Sequence, residues 1–127
     1  MGLADDLAKF AAKTKERVDD VHREVVIQVA NSLITGSAVD TGRFRANWVP
    51  GINAVNTTTT DATDKTGAAA LGAITSAIPK PGGVFYITNS LPYARRLEYE
   101  GWSKQMPAGV VRVTALRFNE WLQKAIA

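Results

Sequence analysis

The chain has 127 residues, 46% of them hydrophobic and 21% charged, with a formal net charge of +3 and no cysteine. That length suits one domain with one core, and so mild a charge lacks the dense basic stripe of a dedicated nucleic-acid binder. Absence of cysteine removes disulfides, thiolate nucleophiles and cysteine metal sites together. No stretch approaches the roughly 20 apolar residues needed to span a bilayer, and the early acids of MGLADDLAKF predict no signal peptide.

Residues 3 to about 35 read as one long amphipathic helix. Apolar side chains recur at Leu3, Leu7, Phe10, Val18, Val21, Val25, Val29 and Leu33, with Thr14 as a weak member. The steps are three or four, the helical period. The other face carries Lys9, Lys13, Lys15, Glu16, Asp19, Asp20, Arg23 and Glu24, and Gly36 is the predicted stop. Such a helix is about 48 Å long at 1.5 Å per residue, longer than a compact domain of this size is wide. One end should project, bend or pack on another molecule.

Asp40-Thr41-Gly42 is strong turn chemistry, because Asp bonds its own following backbone and Gly permits positive φ. After it, Phe44, Ala46 and Trp48 alternate with Arg43, Arg45 and Asn47, which predicts a strand over 43–49 with one buried and one basic face. Residues 50–66 are rich in Thr, Asn and Asp without a period and predict an exposed loop or extended arm. The small apolar run GAAALGAITSAI (67–78) predicts a short, closely packed helix, broken by Pro79 to Gly83. Val84–Asn89 is the clearest strand, β-branched and aromatic. Pro92 suits a first helical turn, so 93–100 is a short helix that Gly101 ends. Residues 108–127 form the terminal helix, with Val110 or Val111, Leu116 or Thr114, Phe118, Trp121, Leu122 and Ala125 on its apolar side.

The expected fold is α+β. A small antiparallel sheet from 43–49, 84–89 and part of 50–58 packs on the long N-terminal helix (1–36) and the C-terminal helix. All of it belongs to one domain over 1–127, with 50–80 as a variable arm or loop.

Catalytic chemistry is not legible. The one histidine, His22, lies on the long helix with no partner motif nearby, and none of the usual metal, nucleotide or hydrolase motifs occurs. Asp61 and Asp64 form a weak cation site at best, and Glu98 and Glu100 point to different helix faces. No cofactor, no metal and no enzymatic activity are expected. What stands out is Tyr93, Arg95, Arg96, Glu98 and Tyr99 on about two turns, with Arg95–Glu98, Arg95–Tyr99 and Arg96–Glu100 at helical neighbour spacing. Aromatics and arginine are enriched in protein interfaces. The plainer reading is a surface helix with exposed ion pairs, and composition leaves both open. Arg43, Arg45, Arg95, Arg96, Lys104, Arg112 and Arg117, with Trp48, Tyr93 and Trp102 for stacking, would instead serve a small basic nucleic-acid-binding protein.

VDTGRFRANW (39–48) and YITNSLPYARRLEYEGWSKQMPAGVVRVT (86–114) resemble a family of small tail-completion and neck proteins of long-tailed bacteriophages, also described as minor tail or head–tail joining components. The first motif is carried by Asp40, Thr41, Gly42, Arg43, Arg45 and Trp48. The second is carried by Asn89, Pro92, Tyr93, Ala94, Leu97, Glu98, Tyr99, Gly101, Ser103, Gln105, Pro107, Gly109 and Arg112. One departure is Glu100, inserted before Gly101. The resemblance implies a structural virion protein, assembled in the host cytoplasm, that forms a homo-oligomeric, hexameric ring at the head–tail junction. It would contact other neck and tail proteins, with non-specific contact to passing DNA and no membrane. Asp40, Thr41, Gly42, Arg43, Arg45, Trp48, Tyr93, Arg95, Arg96, Glu98, Tyr99, Trp102 and Arg112 are the expected subunit or partner contacts.

Overall fold

The computed structural model describes residues 2–127; Met1, which opens the expected single domain, lies outside them. The apolar period of residues 3–35 gives one helix, α1 (Leu3–Thr35). Its two halves differ. Val25, Ala30, Leu33 and Ile34 are buried, whereas Leu3 and Phe10 are 74% and 71% exposed. The terminal helix, α5 (Val111–Ile126), explains the difference. It runs antiparallel to α1, with the Ser32 and Thr114 hydroxyls 2.8 Å apart near one end and the Arg17 guanidinium on the Ile126 carbonyl at the other. Residues 3–16 continue beyond that overlap for about 21 Å at 1.5 Å per residue.

Gly36 ends α1 as expected, in right-handed geometry (φ −80°). Glycine is needed there for space: a Cβ would lie 2.8 Å from Cγ2 of Val110.

The strand expected over 43–49 is a correction. Residues Arg43–Ala46 form a single helical turn, α2, and the strand β1 spans Trp48–Ile52. Phe44 and Trp48 are four apart, a spacing that alternation and a helical turn share. The turn wins because Gly42 enters it at φ +92° and the Asn47 side chain closes it on the Arg43 carbonyl at 2.7 Å.

β1 pairs antiparallel with β2 (Phe85–Asn89), in register from Trp48 opposite Asn89 to Ile52 opposite Phe85. Only Pro50 to Ile52 of the expected further strand in 50–58 join this sheet, and they belong to β1. The helix expected over 67–78 is α3 (Ala68–Ala77), which buries Ala70 and Ile74 against α1 and the sheet. The short helix α4 (Ala94–Tyr99) follows β2. The fold is thus α+β: five helices and a two-stranded antiparallel sheet among the described residues. No described helix is long and apolar enough to cross a membrane.

On α5 the buried positions are Thr114 and Trp121, after Val110 just before it, while Leu116 is 86% exposed and Phe118 is also on the surface. The predicted stripe was too wide. α5 meets α1 along a narrow seam, and Leu116 lies on the other side.

The α4–α5 corner is held by a side chain that the sequence placed on the surface. Glu98 is buried, and its carboxylate accepts the backbone N–H groups of Val110, Val111 and Arg112. These are donors that the start of a helix leaves unpaired, and the helix dipole favours a negative charge there. Gly109 (φ +79°) allows the approach, because a Cβ at that position would overlap the carboxylate. Arg112 returns its guanidinium to the Glu98 carbonyl.

Replacing Glu98 by Ala leaves those donors unpaired and should lower stability by about 3 kcal/mol, against about 1 kcal/mol for Glu98→Gln, which keeps one acceptor oxygen. Urea unfolding followed by tryptophan fluorescence measures both. Equal losses for the two variants would refute a charged cap.

Candidate assembly surface

The two segments singled out in the sequence lie side by side. Gln105 clasps Val39 with both ends of its amide: Oε1 accepts the Val39 N–H at 2.9 Å and Nε2 donates to the Val39 carbonyl at 3.0 Å. Between the segments opens a cavity of about 550 Å³, lined by Asp40, Thr41, Arg43 and Phe44 from the first and by Tyr93 and Trp102 from the second.

A ladder of aromatic rings joins core to rim. Trp48 and Phe44 meet edge to face at 5.8 Å, Phe44 and Tyr93 lie 6.2 Å apart, and Tyr93 and Trp102 again 6.2 Å. Trp48 is buried and Trp102 is 58% exposed. Arginines cover the outer end. The Arg96 guanidinium sits 5.6 Å above Trp102, while Arg95 and Arg112 lie 5.4 and 5.1 Å from the ring of Tyr99. An exposed cation–π contact contributes about 0.5–1 kcal/mol, enough to hold the guanidinium planes against flat rings. The result is an exposed patch of rings and guanidinium groups whose side-chain freedom is already reduced.

The expected contact residues divide by what they touch. Asp40, Thr41, Arg95, Arg96, Tyr99, Trp102 and Arg112 are exposed, and Arg43 and Tyr93 are half-buried. Gly42, Trp48 and Glu98 are buried, and Arg45 is spent within the subunit. The Trp48 indole donates to the Ser37 hydroxyl at 2.8 Å, which in turn donates to the Leu33 carbonyl at the end of α1. Arg45 donates to the carbonyls of Thr35, Ser37 and Lys65, at 3.1, 3.2 and 2.8 Å. It thereby supplies the positive charge that the last turn of α1 lacks in its own sequence. Gly42 has no room for a side chain, since a Cβ would stand 2.6 Å from the Lys65 nitrogen.

Sequence reasoning missed the residues that order the arm. Asn47 is fully buried. Its Nδ2 donates to the Thr60 carbonyl at 3.0 Å and its Oδ1 accepts the Thr60 N–H at 2.8 Å, which staples the arm to the body. Asp64, read as half of a weak cation site, caps α3 instead, accepting the N–H groups of Gly67 and Ala70 at 3.1 Å each. Asp61 pairs with Arg43 at 3.2 Å. The only foreshadowing was that Asn and Asp bond backbone readily. No group of three or more metal-ligating side chains comes together among the described residues. His22 lies half-buried on α1, facing no catalytic partner.

The chain finds no match among models of known protein families, among curated proteins or among solved structures.

Asn47→Ala removes the staple and should release the arm without unfolding the core. Limited proteolysis is then expected to cut within 55–63 at least tenfold faster while the melting temperature falls by only a few degrees, as for a loss of about 1–2 kcal/mol. Unchanged cleavage would show that the arm is held elsewhere.

Proposed function

We propose that this protein is a structural subunit of a tailed-bacteriophage virion, a tail-completion or neck component. It joins copies of itself in a hexameric ring around the DNA channel where tail meets head. Other neck and tail proteins stack on that ring, and passing DNA is touched without base reading. It transforms no substrate. The reading began with the two motifs, and one observation carries it further. Both motifs converge on a single cavity whose rim is an exposed aromatic–arginine patch, backed by a rigid ring ladder into the core.

The projecting half of α1 points the same way. Leu3, Leu7, Phe10 and Val18 leave an apolar stripe in water, the kind of surface that a neighbouring protein covers. A cyclic assembly buries two different patches of each subunit, so more than one unpaired surface is what it requires.

The competing reading, free nucleic-acid binding, is weakened by where the arginines go. Arg43 and Arg96 pair with Asp61 and Glu100 at 3.2 and 3.8 Å, and Arg117 with Glu120 at 3.9 Å. Arg45 and Arg112 donate to carbonyls. Acids thus stand among these arginines, which do not form one uninterrupted basic stripe.

Arg95→Glu with Arg96→Glu should block incorporation into particles and leave the circular dichroism and melting temperature of the free chain unchanged, because both side chains are exposed. Loss of folding would assign the pair to the subunit's own stability. Joined, infectious particles carrying the double variant would reject the patch as a contact, and steeply salt-dependent DNA binding by the isolated wild-type chain would favour the competing reading.

A further inference from the structure

The two-stranded sheet has an open side. The Asn53 N–H donates to the Val84 carbonyl at 2.7 Å, so the alternation of an antiparallel ladder makes 51–86 and 49–88 the bonded pairs and turns the N–H and C=O groups of Phe85, Ile87 and Asn89 away from β1. Pro50, which has no N–H, sits opposite Ile87 at a non-bonded position, as this phase requires. None of the outward N–H and C=O groups of these three residues finds a partner among the described residues.

Along that edge runs a slot. Two cavities, of about 460 and 340 Å³, share Ile87 and Val111. The first reaches Phe85, Ala115 and Phe118, and the second reaches Asn89, Arg95 and Tyr99. Trp48 of β1 also lines the second, and Val29 and Leu33 of α1 line the first, so the cavities lie on the sheet face that α1 and α5 cover. Pro50 and Ile52, which face Ile87 and Phe85 across the sheet, line neither, so along Phe85 and Ile87 the slot borders β2 and α5 rather than β1.

A matching edge lies on the opposite side of the molecule. The arm turns back along the outer side of β1, where Asn56 Nδ2 donates to the Pro50 carbonyl at 3.1 Å and Thr60 is held by Asn47. Around these anchors Val55, Thr57 and Thr59 are exposed, and their backbone groups, like those of Phe85, Ile87 and Asn89, are unpaired among the described residues. Valine and threonine favour a strand. Asp61 follows them, its side chain 99% exposed and held only by its surface pair with Arg43, which it would exchange for another arginine, and Arg95 stands at the far end of the slot.

We propose that the arm of one copy enters the slot of the next, adding a third strand to its sheet. Val55, Thr57 and Thr59 lie level with Val84, Tyr86 and Thr88, so that their N–H and C=O groups meet those of Phe85, Ile87 and Asn89 in the slanted pattern of a parallel pair, and Asp61 comes toward Arg95; the added strand runs parallel to β2. Addition of an extended segment to an open sheet edge is a general recognition mode, with main-chain bonds giving affinity and pockets for alternate side chains giving register. Donor and acceptor edges lie on opposite sides of each subunit, so the contact is head-to-tail and propagates into a closed ring or an open filament. This inference rests on the assembly reading above and names its subunit contact.

The chain contains no cysteine, so introduced thiols report without background. A variant carrying both Thr57→Cys and Val111→Cys, checked for an unchanged melting temperature, should give a ladder of disulfide-linked species on mild oxidation of the full chain. An equimolar mixture of the two single variants should stop at a heterodimer, and neither single variant alone should crosslink. A double variant that stays monomeric overturns the arm–slot contact, as does a single variant that dimerises as readily as the mixture. The virion reading is judged separately: particles that still need the chain, with no ladder formed, reject only this contact, while complete particles made without the chain reject the reading beneath it.

Discussion

One buried carboxylate sets the arrangement of the C-terminal third of the molecule. Glu98 leaves α4 pointing inward and meets the unpaired N–H groups at the start of α5. An ionised group out of water is costly, and what makes it tolerable here is three backbone donors and the positive end of a helix. That requirement fixes the angle between α4 and α5. From that angle follow the lie of α5 along α1, the slot between α5 and β2, and the position of Arg112 over Tyr99. Gly109 belongs to the same arrangement, since any side chain there would displace the carboxylate.

Much of this was legible in the sequence, and the division between what was and what was not has a physical basis. α1, α3, α4, α5 and β2 all follow from periodicity, propensity and glycine or proline punctuation, which are local properties. What the sequence hid are polar side chains whose partners are backbone groups elsewhere. Arg45 looks like any strand-surface arginine until the end of α1 is brought beside it. Asn47 looks like its polar neighbour until Thr60 folds back on it. Glu98 reads as the partner of Arg95 three residues away, but its carboxylate goes inward to backbone donors twelve to fourteen residues later. In each case the residue type is common on surfaces, and only the tertiary fold supplies the unpaired backbone group that gives it a task.

The arm makes the same point in reverse. A run such as VNTTTTDATD has the composition of an unstructured loop, and its backbone has no helix or ladder to join. It is ordered by a series of side-chain-to-backbone bonds instead. Asn56 reaches β1, Thr60 is held by Asn47 and Arg43, and Asp64 accepts from the start of α3 while its own N–H reaches Gly42. These bonds hold one side of the segment and leave the other bare. A two-stranded sheet is marginal by itself; here it survives because α1, α3 and the arm shield it, not because its ladder is long.

The projecting half of α1 follows from comparable reasoning about helices. An isolated helix of about 12–15 residues is marginal in water. Residues 3–16 stay helical as a continuation of the half that α5 clamps. Asp5 and Asp6 sit in the first turn, where negative charge is favoured, while the Thr14 hydroxyl bonds the Phe10 carbonyl at 2.9 Å, a back-bond that adds no helical stability. Neither offsets the exposure of Leu3, Leu7 and Phe10, whose hydration costs about 1.5–3 kcal/mol for each side chain left in water when it could be buried. A segment in that position gains both helical order and burial from whatever covers it. The length of α1, at first sight excessive for so small a domain, thus leaves a helical surface held from one end alone, with its apolar side chains still in water.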